Sequence, residues 1–163
     1  MADCCSNSSP TPNAHDCPSC GASAKRVGIK TVYHQVRFPE NQAIHSGDYY
    51  FCPAEACTVA YFSTAGDTVL KQQLRIAGNI REGLLCYCFD ITEAQYRSTL
   101  QAGSAAALKH FVIEQVKAGY CACEITNPSG QCCLAKFKRL EKQTRQDFSR
   151  KLKWGPSDFS SEK

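Results

Sequence analysis

A small α+β protein in two parts is what the sequence predicts, and three observations predict it. Twelve of the 163 residues are cysteines, and most of them fall in paired groups. The first half holds short aromatic and β-branched runs bounded by turn residues, as strands do. The second half repeats its apolar residues at helical spacing.

The length suits one ordinary domain or two small ones. Hydrophobic residues at 43% and charged residues at 21% describe a folded chain. The mean hydropathy is −0.35, and no apolar run approaches the roughly 18 residues that a membrane helix needs. The start, MADCCSN, has no basic flank leading into an apolar core, so no secretory signal is expected and the cytoplasm is. In that reducing compartment, clustered thiols bind metal or do redox chemistry more often than they form disulfide scaffolds. The chain contains no GxSxG, GxxxxGK[ST] or GxGxxG, which argues against common hydrolases, P-loop enzymes and dinucleotide enzymes.

Residues 1–16 are rich in Pro, Ser and Asn without apolar periodicity, and read as a mobile tail. Thr31–Phe38 suits a helix through Val32 and Val36, and a strand through Val32, His34 and Val36. Tyr49–Phe51 and Val59–Phe62 read as strands on either side of a cysteine pair. Thr92 and Gln95 fit a capping box that starts a helix. Ser104 starts another, with Leu108, Phe111, Val112, Gln115 and Val116 in helical register and Gly119 as its left-handed stop. A last helix from about Leu134 to Lys153 carries Leu134, Phe137, Leu140, Phe148 and Leu152 on or near one face. The division is a flexible tail over 1–14, a zinc-binding domain over 15–80, a 2Fe–2S-binding domain over 84–135 and a basic helical tail over 136–163. The metal assignments in that division rest on two constellations.

The first is CPSCG at 17–21 with CPAEAC at 52–57. A two-residue gap presents Cys17 and Cys20 to one ion, and Cys52 and Cys57 complete a closed thiolate set of the kind that holds structural zinc. Around it the strands and turns suggest a treble-clef-like knuckle. His15, His34 and His45 are expected to stay outside the set. The second is Cys86 and Cys88, separated by 32 residues from Cys121 and Cys123, with Cys132 and Cys133 eight residues further on. A CxC at the start of a helical hairpin, answered by thiols from its far end, supplies the four ligands of a 2Fe–2S cluster, and zinc competes for the same set.

LCYCFDIT at 85–92 resembles the bacterioferritin-associated-ferredoxin type of 2Fe–2S domain. A longer stretch resembles the N-terminal module of CopZ-type copper chaperones: CPSCG at 17–21, YFCPAEACTVAYF at 50–62, CYCF at 86–89 and CACEITNPSGQCCL at 121–134. The resemblance covers roughly residues 15–135 and implies one zinc and one 2Fe–2S cluster. The ferredoxin-type spacing from Cys88 favours Cys121 as third cluster ligand, with Cys132 as fourth and Cys123 with Cys133 as the alternative pair. Two thiols then remain for copper, zinc or a resolving disulfide. The heavy-metal-associated carrier domain of the full-length family, with its MxCxxC loop, is not present in these 163 residues.

Cys4 and Cys5 form a vicinal pair that suits a soft ion such as copper(I). Between Leu134 and Lys153, eight basic residues face two acidic ones in a chain whose total charge is +4. Such a helix suits an acidic redox partner or a separate metal-carrier protein ahead of nucleic acid. The functional expectation is a zinc- and 2Fe–2S-containing electron-transfer and metal-binding protein in copper or soft-metal homeostasis. Its chemistry as an enzyme extends at most to metal-ion reduction. A general ferredoxin-like carrier or redox sensor is the alternative, and a zinc-only nucleic-acid-binding module the third reading.

Overall fold

A computed structural model describes residues 13–78 and 83–153 of the chain. Its first half is a five-stranded antiparallel meander in the order β1 (Ala14–Asp16), β2 (Ser23–Val27), β3 (Tyr49–Phe51), β4 (Val59–Ser63) and β5 (Thr68–Leu70). The strands expected at 49–51 and 59–62 are β3 and β4. β1 falls partly inside the stretch read as tail, and its three exposed residues leave no apolar signal. It pairs along the edge of β2, Ala14 opposite Lys25 and Asp16 opposite Ser23.

The ambiguous segment at 31–38 resolves as helix α1 (Ile29–Gln35). Thr31, Val32 and Gln35 are buried at helical spacing because two neighbours cover this helix, the sheet and a segment of the second half. Val32 and Val36 pack with Val27, Tyr49, Tyr61, Val69 and Leu74 into one core. A second cluster gathers Tyr50 and Phe62 around Cys17, Cys52 and Cys57. β4 is buried along its whole length because it contributes to both.

In the second half a two-stranded ladder, β6 (Leu84–Cys86) and β7 (Ile91–Thr92), leads into α2 (Glu93–Gln101). The capping box is present: the Gln95 amide donates to Thr92 Oγ1 at 3.1 Å, and the Thr92 amide to Gln95 Oε1 at 2.8 Å. Helix α3 (Ala105–Lys117) ends before Gly119, whose φ of 78° is the left-handed stop read from the sequence. One turn, α4 (Cys123–Thr126), and a long helix, α5 (Leu134–Lys153), complete the chain. Phe137 and Leu140 of α5 are buried against Leu85, Tyr96 and Val112. The side chains of Phe148 and Leu152 lie outside what the structure describes.

Candidate metal centres

The four cysteines of the first constellation converge. Cys17 sits on a tight turn closed by the Gly21 amide donating to the Cys17 carbonyl at 2.8 Å, with Gly21 at φ 70°. That left-handed residue folds Cys20 back toward Cys17. Cys52 leaves β3 with its amide bonded to the Ala60 carbonyl at 2.9 Å, and Cys57 closes the following loop through the Ala54 carbonyl at 3.2 Å. Lys71 braces that loop, its Nζ donating to the carbonyls of Ala54 at 2.5 Å and Glu55 at 3.0 Å.

All four Sγ atoms lie within 4.8 Å of one another, with Cys17 to Cys57 at 3.9 Å and Cys20 to Cys52 at 3.6 Å. A tetrahedral zinc at roughly 2.3 Å from each sulfur sets the sulfurs about 3.8 Å apart, so the residues fit the ion. Three are buried and Cys20 is exposed, which makes the site a closed structural one with one edge on the surface. A backbone amide from Val59 draws the Cys57 pKa down to about 7, while burial pushes Cys52 up to about 12. A cation compensates for the burial of the second thiolate. His15 is occupied elsewhere: its ring packs edge-on against Tyr50 at 4.5 Å. His34 is exposed on α1, and exposed His45 lies 3.6 Å from Asp67.

The second constellation also assembles, in another shape. Cys133 donates to Cys86 Sγ at 3.2 Å, and Cys88 meets Cys123 at 3.6 Å. Each sulfur of the CxC is thus matched to one from the far motif, and Cys123 also hydrogen-bonds Cys133 and Cys132. The sulfurs against Cys86 and Cys88 are those of Cys123 and Cys133, which the sequence kept as alternatives to Cys121 and Cys132. Cys121 and Cys132 are half-buried in the same segment, and both are engaged in contacts. Among the described residues, the first set alone gathers three or more ligating side chains within 4.8 Å. The second set runs as a row, Cys88–Cys123–Cys133–Cys86.

Local structure explains the row. β6 delivers Cys86, and the turn after it, with Asp90 at φ 55°, carries Cys88. α4 begins at Cys123, and the Cys133 carbonyl accepts from the Lys136 amide at 2.8 Å at the start of α5. Between them Asn127, only 3% exposed, ties the loop: its Nδ2 donates to the Gln131 carbonyl at 2.6 Å and its Oδ1 accepts from the Ser129 amide at 3.1 Å. Asn127 and Thr126 were visible in the sequence only as part of a motif, without a role. Thr126 Oγ1 lies 3.1 Å from Cys88 Sγ, and the Ala122 amide donates to the same sulfur at 3.3 Å.

The charges are graded along the row. Hydrogen bonds from Cys133 pull Cys86 down to about 7 and Cys123 to about 6 against the cost of burial. Cys133, as donor to both, is held far above the usual thiol range. Burial raises Cys88. Two thiolates sharing the proton of a third form a ready soft-metal donor set. Lys136, half-buried with its Nζ 5.2 Å from the centre of the Tyr87 ring, has its pKa lowered by burial, an effect that attraction to Glu93, Cys133 and Cys86 partly offsets. Cys4 and Cys5 lie outside the described residues.

No helix among the described residues is long and apolar enough to cross a membrane. A family profile described as the CopZ zinc binding domain matches residues 14–75. The copper chaperone CopZ of Archaeoglobus fulgidus is 34% identical over 130 residues, covering 76% of this chain and 60% of that protein. The chain therefore spans about three-fifths of the length of this curated relative. The X-ray structure of the A. fulgidus CopZ N-terminal domain superposes with a TM-score of 0.59 at 30% identity, covering 77% of this chain and 97% of that domain. The four-cysteine geometry and these likenesses coincide: the chain belongs to the CopZ family, as a relative of its zinc-binding N-terminal domain.

Proposed function

We propose that this chain is a zinc- and 2Fe–2S-containing electron-transfer and metal-binding protein of copper or other soft-metal homeostasis. The observation that carries the reading is the second sulfur row, four thiols paired across the α2–α3 hairpin beside a closed zinc set. The row suits a two-metal cluster better than one tetrahedral ion, since its four sulfurs form a chain of neighbours and not the compact group of the zinc set. Cys86, Cys88, Cys123 and Cys133 would hold the cluster, which supplies one electron at a time. The Ala122 amide and the Thr126 hydroxyl stabilise negative charge on Cys88, and Lys136 does so from the other end. Division into a zinc half over 15–80, a cluster half over 84–135 and a basic helix over 136–163 follows from the same reading.

Copper is the cargo. When bound, the cluster would supply the single electron that separates copper(II) from copper(I), with a separate redox partner as the source of that electron. Soft thiolates then hold copper(I). Cys121 and Cys132 beside the row, and Cys4 with Cys5, supply them. The name of the A. fulgidus relative, a copper chaperone, supports this cargo. A reducing cytoplasm, where clustered thiols stay available to metals, suits this reading. The basic face of α5 suits an acidic redox or metal-carrier partner.

The test is metal and sulfide analysis of protein purified without oxygen, with a visible spectrum and a copper(I) titration. Two irons, two sulfides and one zinc per chain, a red-brown colour bleached by dithionite, and stoichiometric copper(I) are expected. The same colour without copper binding leaves a ferredoxin-like carrier or redox sensor. A colourless protein with two zincs, unchanged by cluster reconstitution, overturns electron transfer and points to the zinc-only nucleic-acid-binding reading.

A further inference from the structure

Three attachments from the sheet half converge on the nine-residue segment that joins Cys123 to Cys133. The Tyr61 hydroxyl, at the buried centre of β4, donates to the Pro128 carbonyl at 2.6 Å. Gln35, at the end of α1 and 4% exposed, donates through Nε2 to the Ile125 carbonyl at 2.6 Å. Gly130 seats against α1 and β2 so closely that a Cβ there would stand 3.1 Å from Thr31 Oγ1 and 3.3 Å from Val27 Cγ2, at a φ of 65° that disfavours a side chain anyway.

These attachments are unlike incidental packing. Among the described residues no partner reaches the buried Oε1 of Gln35, so the amide is kept in the interior for the single bond to Ile125. Burial holds the Tyr61 phenol firmly protonated, so it donates at every working pH. The path back to zinc is short. The amide of zinc-ligating Cys52 is bonded to the Ala60 carbonyl, and the next residue along β4 is Tyr61. The ring of Tyr61 also packs against Phe51, the residue before Cys52, at 5.8 Å.

We infer that the zinc half acts as the template for the second cysteine set: Tyr61, Gln35 and the Thr31–Gly130 seat are positioning groups that hold Cys123 and Cys133 against Cys88 and Cys86, so zinc occupancy governs the second site. The inference rests on the reading that the second row is a metal centre. Its test nevertheless works on thiols alone.

The experiment measures the rate at which iodoacetamide alkylates each cysteine of zinc-loaded, cluster-free full-length protein, resolved by mass spectrometry. Tyr61→Phe and, separately, Gly130→Ala should leave zinc at one per chain. Each should speed alkylation of Cys123 and Cys133 by about tenfold, the size expected for loss of one net hydrogen bond. Cys88 should change little, and Cys86, once its hydrogen bond from Cys133 weakens, should slow and not quicken. Cys20→Ser, which weakens the zinc set at its exposed ligand, should produce the same selective rise, and combining it with Tyr61→Phe should add less than the two effects separately. A reconstituted cluster should then show a shifted visible spectrum in Tyr61→Phe, which a purely structural role elsewhere would not cause. Unchanged rates at Cys123 and Cys133, a uniform rise at all four thiols, or full additivity each overturn the inference. A parent protein that takes up no cluster sinks the proposed function instead, and the alkylation pattern still decides the template.

Discussion

The Tyr96 hydroxyl on α2 donates to Glu141 Oε1 on α5 at 2.6 Å, joining two helices through residues 45 positions apart in sequence. Lys109 of α3 reaches both oxygens of the same carboxylate at 2.9 Å, so a single acidic side chain ties all three helices together. Beneath it the rings of Tyr96 and Phe137 pack edge-to-face at 4.7 Å.

Removing this charge should loosen the bundle. Burial works to raise the Glu141 pKa, but the Tyr96 and Lys109 donors outweigh it and hold the carboxyl below its usual range. A depressed folded pKa means that the stabilisation is complete above the ordinary carboxylate range and is lost as pH falls through the depressed value. Glu141→Gln should cost about 1–3 kcal/mol at neutral pH, and its stability should change less than the parent's on acidification, as thermal melts across pH will show.

Zinc ligands should differ in cost according to their burial. Zinc contributes roughly 10–16 kcal/mol in apparent terms to small domains of this kind. Cys52→Ser, at a buried ligand, should abolish zinc retention and melt the sheet. Cys20→Ser, at the exposed ligand, should weaken zinc binding while leaving a folded protein at saturating zinc. Competition with a chelator, followed by circular dichroism, measures both.

Thiols of the metal-free second row should titrate in order. Cys123 should become reactive near pH 6 and Cys86 near pH 7, whereas Cys133 stays unreactive to well above the usual thiol range. Cys133→Ser keeps a hydroxyl donor but weakens the shared-proton arrangement, and should move Cys123 reactivity upward in pH. Residue-resolved alkylation at a series of pH values decides it.

Lys136 should set the potential of the loaded protein. Its charge attracts the thiolates of Cys86 and Cys133, which would carry part of an added electron in the loaded protein. Lys136→Met keeps the aliphatic packing over Tyr87 and removes the charge, so the reduction midpoint should fall by tens of millivolts. A redox titration of the cluster-loaded protein measures this directly.

Much of the fold was legible because local chemistry decides it. Thr92 and Gln95 cap α2 through side chains three residues apart, and Gly119 ends α3 by its backbone freedom alone. The zinc cysteines were readable because a two-residue gap constrains two sulfurs whatever surrounds them. Choices that depend on distant partners were not readable. Residues 31–35 become helix because sheet and α4 cover α1 from two sides, while Val36 turns extended and bridges to Leu74, which no local pattern records. β1 pairs at an edge with every residue exposed. The segment from Cys121 to Cys133 offers four thiols, and which two face Cys86 and Cys88 depends on α4 starting at Cys123 and on Asn127 folding the loop that follows.

The two sulfur sets are consecutive along the chain and do not interleave: Cys17 to Cys57 is complete before Cys86 begins. During synthesis from the N-terminus, the zinc thiols therefore leave the ribosome while none of the second row exists to compete for the ion. The Tyr61 hydroxyl and the Gln35 amide emerge in the same early stretch, ahead of the Ile125 and Pro128 carbonyls they will bind. Order of birth thus separates two chemically similar thiol sets that a refolding tube would present all at once, and metal supplied during translation should load this protein more faithfully than metal added afterwards.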